Sequence, residues 1–245
     1  MTTDNHSYKM TIRVLYNILL VRLRIRKVLP TEAIRRVEVV DCGEPLQPLP
    51  ADDFLILDKG SIIYGRSGVI AKLYEVEKFL NSHGCRLGIY EIYRDEAAQL
   101  YKRNNEYDNL KKERPELNET DIRRILDSRV ANITKDDIGG HQTGGAIDCT
   151  LCSTDGQSLD MGTRYAEFSD KTKTHGSGLS EEQKRNRDLL CDAMRNAGFV
   201  NYPNEWWHFS YGDKMWAAYK HRRVAIYGHG ALHNNDNNNN KTNRL

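Results

Sequence analysis

Two stretches of this chain carry residue types that could do chemistry together. They are His141-Gln-Thr-Gly-Gly-Ala-Ile-Asp148 and, further on, Glu205-Trp206-Trp207-His208. Two imidazoles and one carboxylate form a donor set for zinc, whose open catalytic sites keep three protein ligands and leave a fourth position for water. Glu205, three residues before His208, is close enough to that ligand to take a proton from such a water. Each residue also has a plainer reading, since a lone histidine or strand aspartate more often serves structure. Asp148, however, lies between Ile147 and Cys149 in an apolar run, where a carboxylate is costly unless it is paired or metal-bound.

These side chains need elements to position them. Ala146–Leu151 reads as a strand containing Asp148, with His141 in the loop before it. The histidine reaches the same point only if the chain folds back at Gly144-Gly145. The aromatics after Glu205 favour a strand. A regular strand would set Glu205 and His208 on opposite faces, so a bend is expected near Asn204-Glu205. Leu87–Arg94 alternates as a strand, with Ile92 and Arg94 on one face and Tyr93 on the other. Asp95 then opens a helix to about Lys112, which leaves Arg94 at a strand exit, a place from which it could look into a cleft; by position alone its plainer reading is a surface arginine paired with an acid.

Upstream, Val37–Asp41 reads as a strand, and Phe54–Leu57 and Ile62–Tyr64 as two more joined by the turn Asp58-Lys59-Gly60. Ser67 is expected to cap a helix burying Val69, Leu73, Val76 and Leu80, with Gly84 ending it. Residues 102–137 are strongly charged and contain a helix from Glu119 to Val130 capped by Asn118 and Asp121, an insertion or lid beside the core. Ser180-Glu-Glu-Gln183 is a capping-box pattern whose helix runs to Gly198 and buries Leu189, Leu190 and Met194. The fold class is therefore α+β, a central antiparallel sheet flanked by helices. We expect an N-terminal extension over residues 1–36, one domain over 37–230, and a tail over 231–245 whose asparagine run, 234–240, carries no fold information. Within the extension, residues 12–20 lean helical, and from Val21 the alternation with Arg22, Arg24 and Arg26 suits an edge strand.

Composition narrows the function classes. The chain has 245 residues, 39% hydrophobic and 29% charged, enough for one substantial soluble domain. Thirty-six basic against 34 acidic residues give a net charge of +2, with no nucleic-acid footprint. Five scattered cysteines, an odd number, argue against a disulfide framework and for a reducing, cytoplasmic compartment. Cys149 and Cys152 form a CxxC without a second pair and read as strand thiols. Val14–Val21, the longest early stretch without a charge, is far short of the roughly 20 apolar residues of a membrane span.

As a set, Tyr93-Arg94, the stretch from His141 to Asp148, Met161-Gly162-Thr163 and Glu205-Trp-Trp-His-Phe-Ser-Tyr-Gly-Asp-Lys-Met-Trp-Ala217 are specific. Through them the chain resembles, from about Leu87 to Ala217, the zinc D-Ala-D-Ala dipeptidases, relatives of the D,D-carboxypeptidases that share a Hedgehog-like fold. The resemblance implies that His141, Asp148 and His208 bind Zn2+. It makes Glu205 the general base and later the acid, and Arg94 the group that stabilises the tetrahedral intermediate. It implies a small D-amino-acid peptide as substrate, with Glu167, Tyr93 and Trp207 as candidate substrate-binding residues. Two positions depart from the pattern. Gly139 stands where the family often has a serine. Ala166 stands where an aspartate usually holds the substrate ammonium, which leaves Glu167 or Asp170 as stand-ins. A D,D- or L,D-carboxypeptidase acting on peptidoglycan stem peptides, and a non-catalytic zinc-binding module, are the alternatives.

Overall fold

The structure is a computed structural model and describes residues 14–21, 23, 28–58, 60–133 and 138–232. Two long antiparallel strands, β5 (Cys85–Glu91) and β6 (Ala146–Ser153), form its centre. The shorter strands are β1 (Glu38–Val39), β2 (Leu46–Pro48), β3 (Leu55–Ile56), β4 (Tyr64–Arg66), β7 (Val200–Asn201), β8 (His208–Ser210) and β9 (Val224–Ala225). A five-stranded sheet runs β3-β5-β6-β8-β7, antiparallel except for the β3/β5 edge. Two small ribbons, β2/β4 and β1/β9, lie outside it.

Side chains alternate across a strand, and β6 uses both faces. Ile147, Cys149 and Leu151 join Leu87 and Ile89 in the main core. Leu73, Val76 and Leu80 of the Ser67–Asn81 helix and Leu190, Ala193 and Met194 of the Glu181–Asn196 helix pack with them. Asp148 and its alternating neighbours turn the other way. The caps follow the sequence: Asp95 accepts from Ala98 N at 2.7 Å, Asn118 from Asp121 N at 3.0 Å, and Ser180 and Gln183 close a capping box. The Glu96–Glu113 and Glu119–Arg129 helices form a hairpin with a small core of its own, Leu110, Ile122, Leu126 and Val130.

Several expectations need correcting. Ser67 is the first helical residue rather than the cap. Arg66 occupies the N-cap position and cannot cap, because a guanidinium has no acceptor; it donates instead to Thr143 O, Gly228 O and the Asp41 carboxylate. Phe54–Leu57 and Ile62–Tyr64 do not pair with each other: β3 lies parallel to β5, while β4 pairs with β2. Trp206 and Trp207 precede the strand, which starts at His208. Leu189 is half-buried at the edge of the main core.

Residues 14–21 are helical, and Val14 and Leu29 are buried. The Thr31–Arg35 helix packs on the Lys214–Tyr219 helix, with Lys214 Nζ donating to Arg35 O at 3.2 Å. Most of the alternation expected after Val21, and the whole asparagine run, lie outside the described residues. All five cysteines are unpaired, Cys149 and Cys152 among the buried ones. Among the described residues no helix is long and apolar enough to cross a membrane.

Candidate metal centre

The site is built on strand register. In β6 and β8, Asp148 lies directly opposite His208, and directly opposed residues present their side chains on one face. On the other side of β6, regular pairing beyond Ile89/Cys149 would bring Tyr90 opposite Asp148. A register shift between Ile89 and Glu91 puts Glu91 there instead. Such a bulge re-aims the strand. It sets Glu91, Asp148 and His208 in one row across three strands.

His141 reaches this row from a single helical turn, Gly140–Thr143, which ends at Gly144 with φ 71°. That left-handed conformation suits glycine at a helix end, and a Cβ there would meet Leu46 Cδ2 at 2.4 Å. The ring is fixed by its Nδ1, which donates to Ile92 O at 2.7 Å. Arg94 N in turn donates to His141 O at 3.1 Å. With Nδ1 protonated, His141 presents the lone pair of Nε2 to the interior.

His141 Nε2 stands 3.4 Å and His208 Nδ1 2.8 Å from the same oxygen, Asp148 Oδ1. One donor atom from each of the three residues lies within 4.8 Å of the others. Two imidazole nitrogens and a carboxylate oxygen, with a protonated Nδ1 locking one ring, fit a divalent zinc ion. Burial opposes the charge on Asp148, but the two imidazoles override it and hold its carboxyl well below the usual range. Burial keeps His141 neutral by lowering its pKa, and Asp148 pulls the other way. For His208 burial is overridden by the Asp148 hydrogen bond, and the pKa rises.

The chain bends ahead of β8: Glu205 N donates to Tyr202 O at 3.0 Å and His208 N to Glu205 O at 3.3 Å. The bend brings Glu205 and His208 to one cavity of about 1060 Å³, which Asp148, His141 and Arg94 also line. The Glu205 carboxyl makes no hydrogen bond among the described residues, and burial pushes its pKa up to about 7. Arg94 is buried and clamped to Glu91, Nε to Oε1 at 2.7 Å and Nη2 to Oε2. Its Nη1 donates to Gln99 Oε1 at 2.5 Å. Two of its five N–H groups remain for a ligand, and Nη2 lies 3.9 Å from Asp148 Oδ2.

Of the remaining candidates, Trp207 walls the cavity, its ring edge-on to Tyr165 at 5.7 Å and to Phe168 at 5.8 Å. Tyr93 does not line the cavity, because alternation turns it away from Arg94 and its hydroxyl donates to Gly230 O at 3.2 Å. Glu167 is exposed on a second cavity and accepts from Arg164 N at 3.2 Å. Ala166, in a left-handed conformation at φ 58°, takes its place at the metal cavity. A Cβ on Gly139 would meet Gln142 Oε1 at 2.4 Å, so a serine there would require the Gln142 side chain to shift. Sequence reasoning missed Tyr165, whose hydroxyl donates to Asp148 Oδ2 at 2.9 Å, and Lys102, whose Nζ donates to that hydroxyl at 3.1 Å. Their only signal in the sequence was the nearness of Tyr165 to Met161-Gly162-Thr163.

A His–Asp–His donor set beside a half-buried carboxyl that makes no hydrogen bond among the described residues, on an α+β sheet, has the composition of a hydrolytic metal site. The chain belongs to the D-Ala-D-Ala dipeptidase family of peptidases: the family pattern Peptidase_M15, D-ala-D-ala dipeptidase, matches residues 52–226. The D-alanyl-D-alanine dipeptidase of Synechocystis sp. is 29% identical over 239 residues, 81% of this chain and 97% of the relative. The enzyme of the same name from Escherichia coli is 32% identical over 126 residues, 51% of this chain and 55% of the relative. Among solved structures, a VanY D,D-pentapeptidase mutant in complex with Zn(II) aligns with a TM-score of 0.45 at 17% identity, covering 78% of this chain and 96% of that one.

Proposed function

We propose that this chain is a zinc-dependent dipeptidase that hydrolyses D-Ala-D-Ala to two D-alanines in a reducing cytoplasm. The observation that carries this reading is the facing of Glu205, with its raised pKa, onto the cavity where the His141, Asp148 and His208 donors converge. These three residues would hold Zn2+, which when bound polarises the scissile carbonyl and lowers the pKa of water toward about 7. The Glu205 carboxylate takes a proton from the attacking water and returns it to the nitrogen of the leaving D-alanine. The two remaining N–H groups of Arg94 receive the negative charge that develops on the carbonyl oxygen. Trp207 and Phe168 give the cavity an apolar wall on one side. The five unpaired thiols fit a reducing compartment.

A free-amine assay on purified protein tests this directly. D-Alanine should appear from D-Ala-D-Ala with zinc present and stop with chelator. Glu205→Gln should lower kcat by roughly 10²–10⁴-fold while the bound zinc, measured by elemental analysis, stays stoichiometric. Turnover by that variant at the wild-type rate would remove Glu205 from the mechanism. Ala166 favours a second reading, because no carboxylate stands at that point of the wall to receive a substrate ammonium. A D,D-carboxypeptidase would then cleave an N-acylated substrate faster than the free dipeptide. The same assay with both peptides separates the two.

A further inference from the structure

The cavity wall carries several cations, and most of them are already spoken for. Arg94 is tied to Glu91 and Gln99. Arg129 reaches Glu106 at 2.6 Å and lies over Phe168, and Arg124 pairs with Asp121 at 2.7 Å. Lys102, on the Glu96–Glu113 helix, differs. Its Nζ donates to the neutral Tyr165 hydroxyl at 3.1 Å, and the nearest acid, Glu91 Oε2 at 3.6 Å, already takes the Arg94 clamp. Glu91 is thus shared with Arg94, and Asp148 faces the two imidazoles, so the Lys102 ammonium has no carboxylate of its own. An ammonium has three donors; with one on Tyr165 and one toward Glu91, a third remains. The side chain is 33% exposed, and Lys102 lines the cavity together with Asp148 and Glu205.

We infer that Lys102 recognises the C-terminal carboxylate of the peptide, a specificity-determining contact that rests on the peptidase reading above. The spacing suits it. Lys102 Nζ is two hydrogen bonds from Asp148 Oδ2, through Tyr165. The terminal carboxyl carbon of a dipeptide is three bonds from the carbonyl carbon under attack, about 3–4 Å away. A carboxylate that meets Lys102 thus holds the scissile bond near the metal ligands. A peptide whose terminus is an amide leaves the lysine without its partner.

The test reads binding without turnover, by calorimetry on zinc-loaded Glu205→Gln protein, using D-Ala-D-Ala and its C-terminal amide. Adding Lys102→Met, close in length but uncharged, should weaken the free dipeptide by roughly 10–100-fold. The amide, already weak, should change little, and Lys102→Arg should restore part of the loss. Zinc stoichiometry and the thermal midpoint should match the parent, which separates recognition from folding. In the active protein the same substitution should raise KM for the dipeptide far more than it lowers kcat. Equal affinity of Lys102→Met and its parent for the free dipeptide would overturn the assignment and leave the hydrolase intact if wild type still turns the dipeptide over. Failure of the parent to bind either peptide would overturn both.

Discussion

Asp148 carries more of the site than any other side chain. One oxygen faces both imidazoles and the other accepts from Tyr165, all in a place where an unsupported carboxylate would be costly. Tyr165 is itself held by a stacked Tyr90 ring, 4.2 Å between centroids and 8° from parallel, so its hydroxyl is pre-aimed. Outer partners of metal ligands commonly change affinity by 10–100-fold. Tyr165→Phe, which keeps the stack and removes only the hydroxyl, should weaken zinc by about 10-fold in a competition titration with a chromophoric chelator. An unchanged zinc affinity would reduce Tyr165 to a packing residue. At this scale the sequence was legible where chemistry restricts the residue type: histidine, aspartate and glutamate have few reasons to sit in apolar runs. It was silent on Tyr165 and Lys102, because an aromatic residue and a surface-type lysine have many. It could not say which way Glu167 points, since adjacent residues at a left-handed turn face different cavities.

Helices were legible for a local reason: caps and stripes are written within one segment, and Asp95, Asn118 and Ser180 do what their positions indicated. Strand pairing is not local. Nothing near Asp148 in the sequence says that His208 will lie opposite it, or that a bulge will bring Glu91 into the same row. The helical hairpin of residues 96–129 is a case where local reading met a further fact, its separate core. It touches the site through Lys102 and through Gln99, whose amide donates to Ala131 O. Leu126→Ala should cost about 2–4 kcal/mol, and the loss should stay within the hairpin. Amide exchange should rise across residues 96–129 while β5 and β6 keep their protection. Equal loss in both would show that the hairpin and sheet unfold as one unit.

For the whole molecule, the site is a load that folding carries and that a bound cation would relieve. Glu205 has a folded pKa of about 7 against an ordinary 4.5, so burial favours its protonated form. The folded state therefore keeps this proton over a range where the unfolded chain has lost it. The stability associated with protonated Glu205 is full below pH 4.5 and is lost as pH rises toward 7, a change on the order of 3 kcal/mol. Asp148 has the opposite sign: its contribution is present above the usual aspartate pKa and lost only in stronger acid. The two histidines shift in opposite directions and partly offset one another between pH 5 and 8. The difference between wild type and Glu205→Gln isolates the glutamate. Without metal, the thermal midpoint of wild type should fall relative to the variant between pH 5 and 8, by roughly 5–10 °C. Zinc should raise the midpoint of both and flatten the difference, because a nearby cation favours the ionised carboxylate. Parallel curves for the two metal-free proteins would mean that Glu205 meets water freely, and a general base tuned by desolvation would then have no place in this cavity.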